Sequence, residues 1–255
     1  MIHIKNLFKQ FGPNKVLQGL SLEISNNEIL VIVGRSGSGK SVLIKHIMGL
    51  MKPDSGEVLI DEIDMTQLEG PKLYSTLTNI GMIFQMGALF DSMTIEENVG
   101  FFLKEHQMVA GKKIQKSDMK EIVRSTLAKV GIEGTMELYP ADLSGGMRKR
   151  ASIARSVIYK PKYLFYDEPT TGLDPVTAEN IGRLIVAQQN ELQGTSVVVS
   201  HDIATSLMIA DRIALIENGV IEVIAKPKEF MEYNHPTIRK FNHVVGDYKL
   251  HGSLR

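Results

Sequence analysis

No cysteine occurs among the 255 residues, which excludes disulfides and thiolate metal sites and fits a reducing compartment. Net charge is missing as well. Twenty-nine basic and twenty-nine acidic residues cancel, so no global field favours nucleic acid or anionic lipid. No apolar run approaches the ~20 residues that a membrane-spanning helix needs. The opening MIHIKN lacks the basic start and apolar core of a signal peptide. Neither an internal repeat nor a low-complexity linker is seen. These absences describe a cytoplasmic chain whose membrane role, if it has one, runs through a partner. What is present is a 43% apolar fraction, enough for a substantial core, in a length that suits one large domain or a domain with a subdomain.

The chain is organised around GRSGSGKS at 34–41. It follows the apolar run Ile29–Val33 and leads into helically spaced apolar residues at 42–48, the strand–turn–helix context that the G-x-x-x-x-G-K-[ST] pattern requires. Gly34, Gly37 and Gly39 are expected to supply torsions that a side chain forbids, so that successive N–H groups face one phosphate chain. The helix opening at Gly39 adds free N–H donors and the positive end of its dipole. Lys40 is placed to reach the β- and γ-phosphates, and Ser41 to offer its hydroxyl to Mg²⁺. Arg35, Ser36, Ser38 and Val42 complete the candidate loop. The plain alternative is a glycine-rich turn with no ligand.

Elsewhere the pattern alternates. Strands are expected at 2–11, 16–24, 57–60, 80–84, 163–166 and 195–200, with a hairpin at 212–225 turning on Asn218 and Gly219. Between them, 86–160 is mainly helical, with a capping box at Thr94 to Glu97, an amphipathic stripe from Met119 to Val130, and a helix opened by LSGG at 143–146. Gly111–Lys116 is expected as a basic surface loop. The tail from Lys226 is polar and broken at His235 and Pro236. Strands alternating with helices around a phosphate loop point to a parallel α/β core.

Asp167 and Glu168 follow four apolar residues, so both carboxylates leave a buried strand at the edge where open α/β sheets bind ligands. Asp167 is expected to hold Mg²⁺ opposite Ser41, and Glu168 to orient a water and take its proton. His201 leaves the strand 195–200 in the same way, within reach of a γ-phosphate. Phe11 either caps the core or stacks on a purine. Ser144, Gly145 and Gly146 open a helix with a hydroxyl and two free N–H groups, as a cap or as a second anion site. In the second case a head-to-tail two-fold dimer with nucleotide between the chains is the simplest geometry.

GRSGSGKS, Gln85, LSGGM, YLFYDEP, GLDP at 172–175 and SHD at 200–202, in that order, resemble the motif set of ABC-transporter ATPases across residues 2–225. The resemblance implies an α/β fold: a P-loop NTPase (RecA-like) core with an N-terminal antiparallel β subdomain and an inserted helical subdomain. It divides the chain into an ABC ATPase domain at 1–240 and a C-terminal extension at 226–255. Within the domain, 1–85 and 161–225 would form the core with its β subdomain, and 86–160 the helical subdomain. It implies ATP and Mg²⁺ as cofactors, and a homodimer in the ATP state. Phe11 takes the adenine-stacking place, with Phe where Tyr is common. Gln85 senses Mg²⁺ and the attacking water and links the site to a membrane partner. Ser144, Gly145 and Gly146 contact the opposite chain's nucleotide, Asp174 sits at the dimer interface, and His201 contacts the γ-phosphate.

The signature ends in Met147, which cannot donate the hydrogen bond of the usual Gln. Together with MGALFDSMTIEENV after Gln85, it is similar to the ATPases of Mla/Mce-type lipid transporters. That likeness implies integral-membrane permease subunits, possible Mce-type lipid-binding and small accessory subunits, and a place on the cytoplasmic face of a bacterial inner membrane. Met86, Leu89, Phe90 and Met93 are then either subdomain core or an apolar groove for a short helix of the membrane subunit. HPTIRKF at 235–241 also fits this group, in which the tail binds the neighbouring ATPase. The alternatives are an ATPase of an amino-acid or other small-solute importer, which keeps the chemistry, and a non-transport regulator, which would lack a usable base.

Overall fold

The computed structural model describes residues 1–245, with 242–245 described in backbone only; 246–255, the end of the expected C-terminal extension, lie outside the described residues. The chain opens with β1 (Ile2–Phe11), β2 (Asn14–Ile24) and β3 (Ile29–Val33), then α1 (Lys40–Ile47). β4 (Ser55–Ile60), β5 (Ile63–Asp64), α2 (Gly70–Leu77) and β6 (Ile80–Ile83) follow. Next come α3 (Ile95–His106), β7 (Met108–Val109), β8 (Lys112–Lys113), α4 (Met119–Lys129) and α5 (Gly145–Val157). β9 (Tyr163–Asp167), α6 (Pro175–Leu192), β10 (Thr195–Ser200), α7 (Ile203–Ile209), β11 (Arg212–Glu217) and β12 (Val220–Ala225) lead to α8 (Pro227–Glu232) and α9 (Pro236–Val245).

Six strands form the central sheet in the order β12-β11-β3-β10-β9-β6, all parallel neighbours except the antiparallel edge pair β11 and β12. β3 and β10 are buried along their whole length. This is why they read as continuous apolar runs and not as alternations: both faces of a parallel sheet are covered. Ile29, Val31 and Val33 face one apolar cluster together with Tyr166 and Val198. Leu30 and Ile32 face the other, with Phe165 and Val199.

The first cluster is closed by the helical layer, through Ile95 and Val99 of α3, Leu127 of α4, Ile153 of α5 and Ile181 of α6. The second is closed by α1 and by a separate antiparallel sheet, β2-β1-β4-β5, with Leu43, Ile4, Leu20 and Val58 inside. α3 begins with the expected capping box: Glu97 N donates to Thr94 Oγ1 at 3.2 Å, and Thr94 N to the Glu97 carboxylate at 2.9 Å. The β11–β12 turn has Asn218 at φ 49° and Gly219 at φ 77°, the two positive torsions a tight hairpin demands. Gln18 N donates to Gly219 O at 2.9 Å, tying the two sheets together.

Two local expectations change. Lys112–Lys113 is not loop but pairs with Met108–Val109 in a short antiparallel ladder. The tail is not merely polar and broken. Pro227 and Pro236 each begin a helix, where a missing N–H costs nothing, and Phe230 and Ile238 are fully buried in the first cluster. α2 and α7 carry no clear signal in the sequence. Among the described residues no helix is long and apolar enough to cross a membrane.

Candidate functional site

The parallel strands all deliver their C-terminal ends to one edge of the sheet, and the loop after β3 lies there. Gly37 and Gly39 adopt φ 79° and 100°, as a nest of inward-facing N–H groups requires. Gly34 is needed for a different reason from the one expected. Its torsion is ordinary, but a Cβ would lie 2.4 Å from the Ile216 carbonyl of β11. α1 starts at Gly39 with no side-chain cap and no acidic residue in its first turn, which leaves its leading N–H groups to an anion.

Lys40 is folded back over the loop. Its ammonium donates to Gly34 O at 2.9 Å and Arg35 O at 3.1 Å, and lies 3.9 Å from Glu168 Oε1. Burial lowers its pKa, and the Glu168 and Asp167 carboxylates oppose that shift. Ser38 N donates to Arg35 O at 3.1 Å, closing the turn, and the Ser38 hydroxyl is buried with no partner. A phosphate oxygen would satisfy such a group.

Ser41 Oγ donates to Asp167 Oδ1 at 2.9 Å. Burial raises the Asp167 carboxyl, and the Ser41 hydrogen bond lowers it. Among the described residues no three His, Cys, Asp or Glu side chains cluster as a metal site. Mg²⁺ keeps several waters and takes phosphate oxygens beside one or two protein ligands. Ser41 and Asp167 fit that part, and a bound Mg²⁺ would offset phosphate charge.

Glu168 stands at φ 53°, a left-handed torsion that non-glycine residues adopt uncommonly. Its N–H donates to Val199 O at 2.9 Å. Its Oε2 lies 2.6 Å from His201 Nδ1 and accepts from Thr171 Oγ1 at 3.1 Å. The acid and the histidine, brought from β9 and β10, therefore touch directly.

Phe11, Ser36, Lys40, Gln85, Glu168 and His201 line one cleft of about 510 Å³, with Val42 and Ser41 on its wall. Phe11 is 46% exposed, so it does not cap the core. Ser144, Gly145 and Gly146 are not brought into this cleft. Ser144 caps α5 by accepting from Met147 N at 3.3 Å, and Ser144 and Gly145 stay exposed. Gly146 is required by packing, because a Cβ would lie 2.9 Å from Thr177 Cγ2. Asp174 caps α6 by accepting from Thr177 N at 3.0 Å. Met86 is 91% exposed, Phe90 is also exposed, and Leu89 packs on the helical core, so of these three only Leu89 belongs to the subdomain core.

Two residues escaped the reading of the sequence. Thr171 holds the Glu168 carboxylate, and Lys149 of α5 donates to the backbone carbonyls of Gln85 and Glu168. Lys149 sits in the run RKR, which has the look of a solvated charge cluster. Its spacing from Ser152 and Ser156 on one helix face was the available signal.

Comparison with known proteins agrees with this geometry. The family model described as ABC transporter matches residues 17–171. The intermembrane phospholipid transport system ATP-binding protein MlaF of Haemophilus influenzae is 38% identical over 211 residues, 83% of this chain and 78% of that protein. The probable ribonucleotide transport ATP-binding protein mkl of Mycobacterium leprae is 33% identical over 240 residues, 94% of this chain and 68% of that protein. Among solved structures, the dimeric post-hydrolysis state of the ATP-binding cassette MJ0796 bound to ADP and Pi superposes with a TM-score of 0.79 at 31% identity. That match covers 89% of this chain and 99% of the cassette. A phosphate cradle at a sheet edge, an acid–histidine pair beside it and a helix-capping LSGG segment outside that cleft thus coincide with a family match over more than half the length: the chain is an ATP-binding subunit of the ABC transporter family.

Proposed function

We propose that two copies of this chain bind two ATP molecules between them, hydrolyse them, and drive a separate membrane permease that moves phospholipid or a related lipid between membranes. The observation that carries the hydrolytic part is the contact of Glu168 with His201 beside Lys40, at the mouth of the glycine cradle. In this reading the loop 34–41 and Lys40 hold the triphosphate, Phe11 stacks on the base, and Ser41, Asp167 and Gln85 serve Mg²⁺. Glu168 orients the water and accepts its proton, while His201 and Thr171 fix that carboxylate. Ser144 and Gly145 are exposed, Gly146 is half-buried, and all three lie outside their own chain's cleft, so their anion site serves the nucleotide of a second copy.

The lipid cargo rests on the Met147 signature, on the segment after Gln85 and on the likeness to MlaF. The exposed Met86 and Phe90 suit a short helix of the permease, which would hold the subunit at the cytoplasmic face of the membrane. The test is purification from membranes of the source cell, with identification of bound lipid and partner chains. Phospholipid and a permease are expected. A complex that carries a soluble nucleotide or amino acid, and no lipid, sinks the cargo assignment while leaving the ATPase untouched.

A further inference from the structure

A stripe of donors runs along α5 and just beyond its end. Tyr159 Oη donates to Ile80 O at 2.8 Å, Ser156 Oγ to Met82 O at 2.9 Å, and Ser152 Oγ to Gly87 O at 2.8 Å. Lys149, one turn nearer the LSGG segment, donates to Gln85 O and, at 3.4 Å, to Glu168 O. Positions 149, 152, 156 and 159 share one helix face. The backbone around Gln85 is therefore registered on α5 over its length. Lys149 is the rung that also reaches the sheet edge.

Lys149 is 7% exposed, and its ammonium meets the backbone carbonyls of Gln85 and Glu168. A buried ammonium is unfavourable unless its donors are used and its charge is compensated. Burial lowers its pKa, and the Glu168 and Asp167 carboxylates counter the shift. The Glu168 peptide, in its left-handed torsion, is held at one end by Val199 O and at the other by Lys149. Two clamps on one strained residue fix where its carboxylate points.

We propose that Lys149 is a positioning residue that locks the Gln85 and Glu168 carbonyls together, and so aims the Glu168 carboxylate while tying it to the helix that carries Ser144. The proposal rests on the hydrolytic reading above. Lys149 touches no substrate, so its loss affects turnover and leaves nucleotide affinity intact.

The test is steady-state Mg·ATP hydrolysis by the purified full-length chain carrying Lys149→Met, Lys149→Arg or Ser156→Ala, with melting temperatures measured alongside. Lys149→Met is expected to lower kcat about tenfold or more with KM within about twofold of wild type, as misplacement of a catalytic group does. Lys149→Arg, which keeps charge and donors, recovers most of the loss. Ser156→Ala, which removes a rung remote from Glu168, leaves kcat near wild type. An unchanged kcat in Lys149→Met overturns the proposal, as does a KM that rises in proportion, absence of rescue by Arg, or an equal loss in Ser156→Ala. Should the Met variant not fold, Lys149→Gln decides: lowered kcat at constant KM supports the role, and wild-type kcat removes it. Glu168→Gln run in parallel separates the two ideas. If it turns over normally, the hydrolytic reading has failed; if it is inactive while Lys149→Met is normal, only the positioning role has.

Discussion

Glu168 concentrates the chemistry at the scale of one residue. Its carboxylate is fixed by His201 at 2.6 Å and Thr171 at 3.1 Å, and Lys40 stands 3.9 Å away. In the reading proposed here Glu168 is a general base, worth about 10²–10⁴ in rate, so Glu168→Gln is expected to lower ATP turnover by about a hundredfold or more. Binding should persist, because the cradle and Lys40 are untouched. The variant with ATP should therefore accumulate as a dimer in size-exclusion chromatography, and phosphate release measures the loss. Normal turnover would remove the general-base assignment. That these acids leave a buried strand at the sheet edge was legible from their place after YLFY. The left-handed torsion of Glu168 was not, because it arises from the contacts that β9 makes with β10.

Single elements carry the next two predictions. The Thr94–Glu97 capping box satisfies N–H groups that α3 would otherwise leave open, and it was readable from four adjacent residues. Thr94→Ala is expected to cost about 1 kcal/mol. In a chain of this size that is a fall of about 2–4 °C in Tm, to be read by thermal unfolding with ATPase activity retained. Asp61, in the turn between β4 and β5, shows what four residues cannot disclose. Burial would raise its carboxyl, but hydrogen bonds from Lys162, Tyr163 and the Met1 amine bring it down to about 2. With the folded pKa below the ordinary carboxylate value of 3.8, this contribution is fully present above pH 4 and lost as pH falls through about 2. Asp61→Asn should therefore lower Tm at pH 6, and the gap from wild type should close on titration toward pH 2. A gap that stays constant across that range would show that the loss does not come from the carboxylate's charge.

Across the whole molecule, two apolar clusters hold the central sheet between a helical layer and an antiparallel sheet. The edge left open gathers residues from Phe11 to His201. The LSGG segment lies outside that cleft, so a complete pocket needs a second copy in the reading proposed here. Mixing Lys40→Ala, which lacks the cradle's lysine, with Ser144→Arg, which blocks the exposed helix start, should restore ATP hydrolysis above either parent. Each mixed pair then contains one intact pocket. Mixtures as inert as both parents, beside active wild-type pairs, would show that the pocket is not shared.

The amino-acid sequence by itself determined the phosphate loop, the order of the motifs, the buried parallel strands and the capped helices. Each of these is written in neighbouring residues, as spacing, periodicity or a capping pattern. Tertiary structure alone decided the rest. Gly34 is glycine because β11 passes 2.4 Å from where its Cβ would be, and Phe11 opens onto the cleft and not the core. Lys149, one of three charges in RKR, is buried against two carbonyls, and the tail docks through Phe230 and Ile238. Each of these depends on which distant segment arrives alongside. A contact between residues far apart in the chain leaves no trace in the local pattern of either.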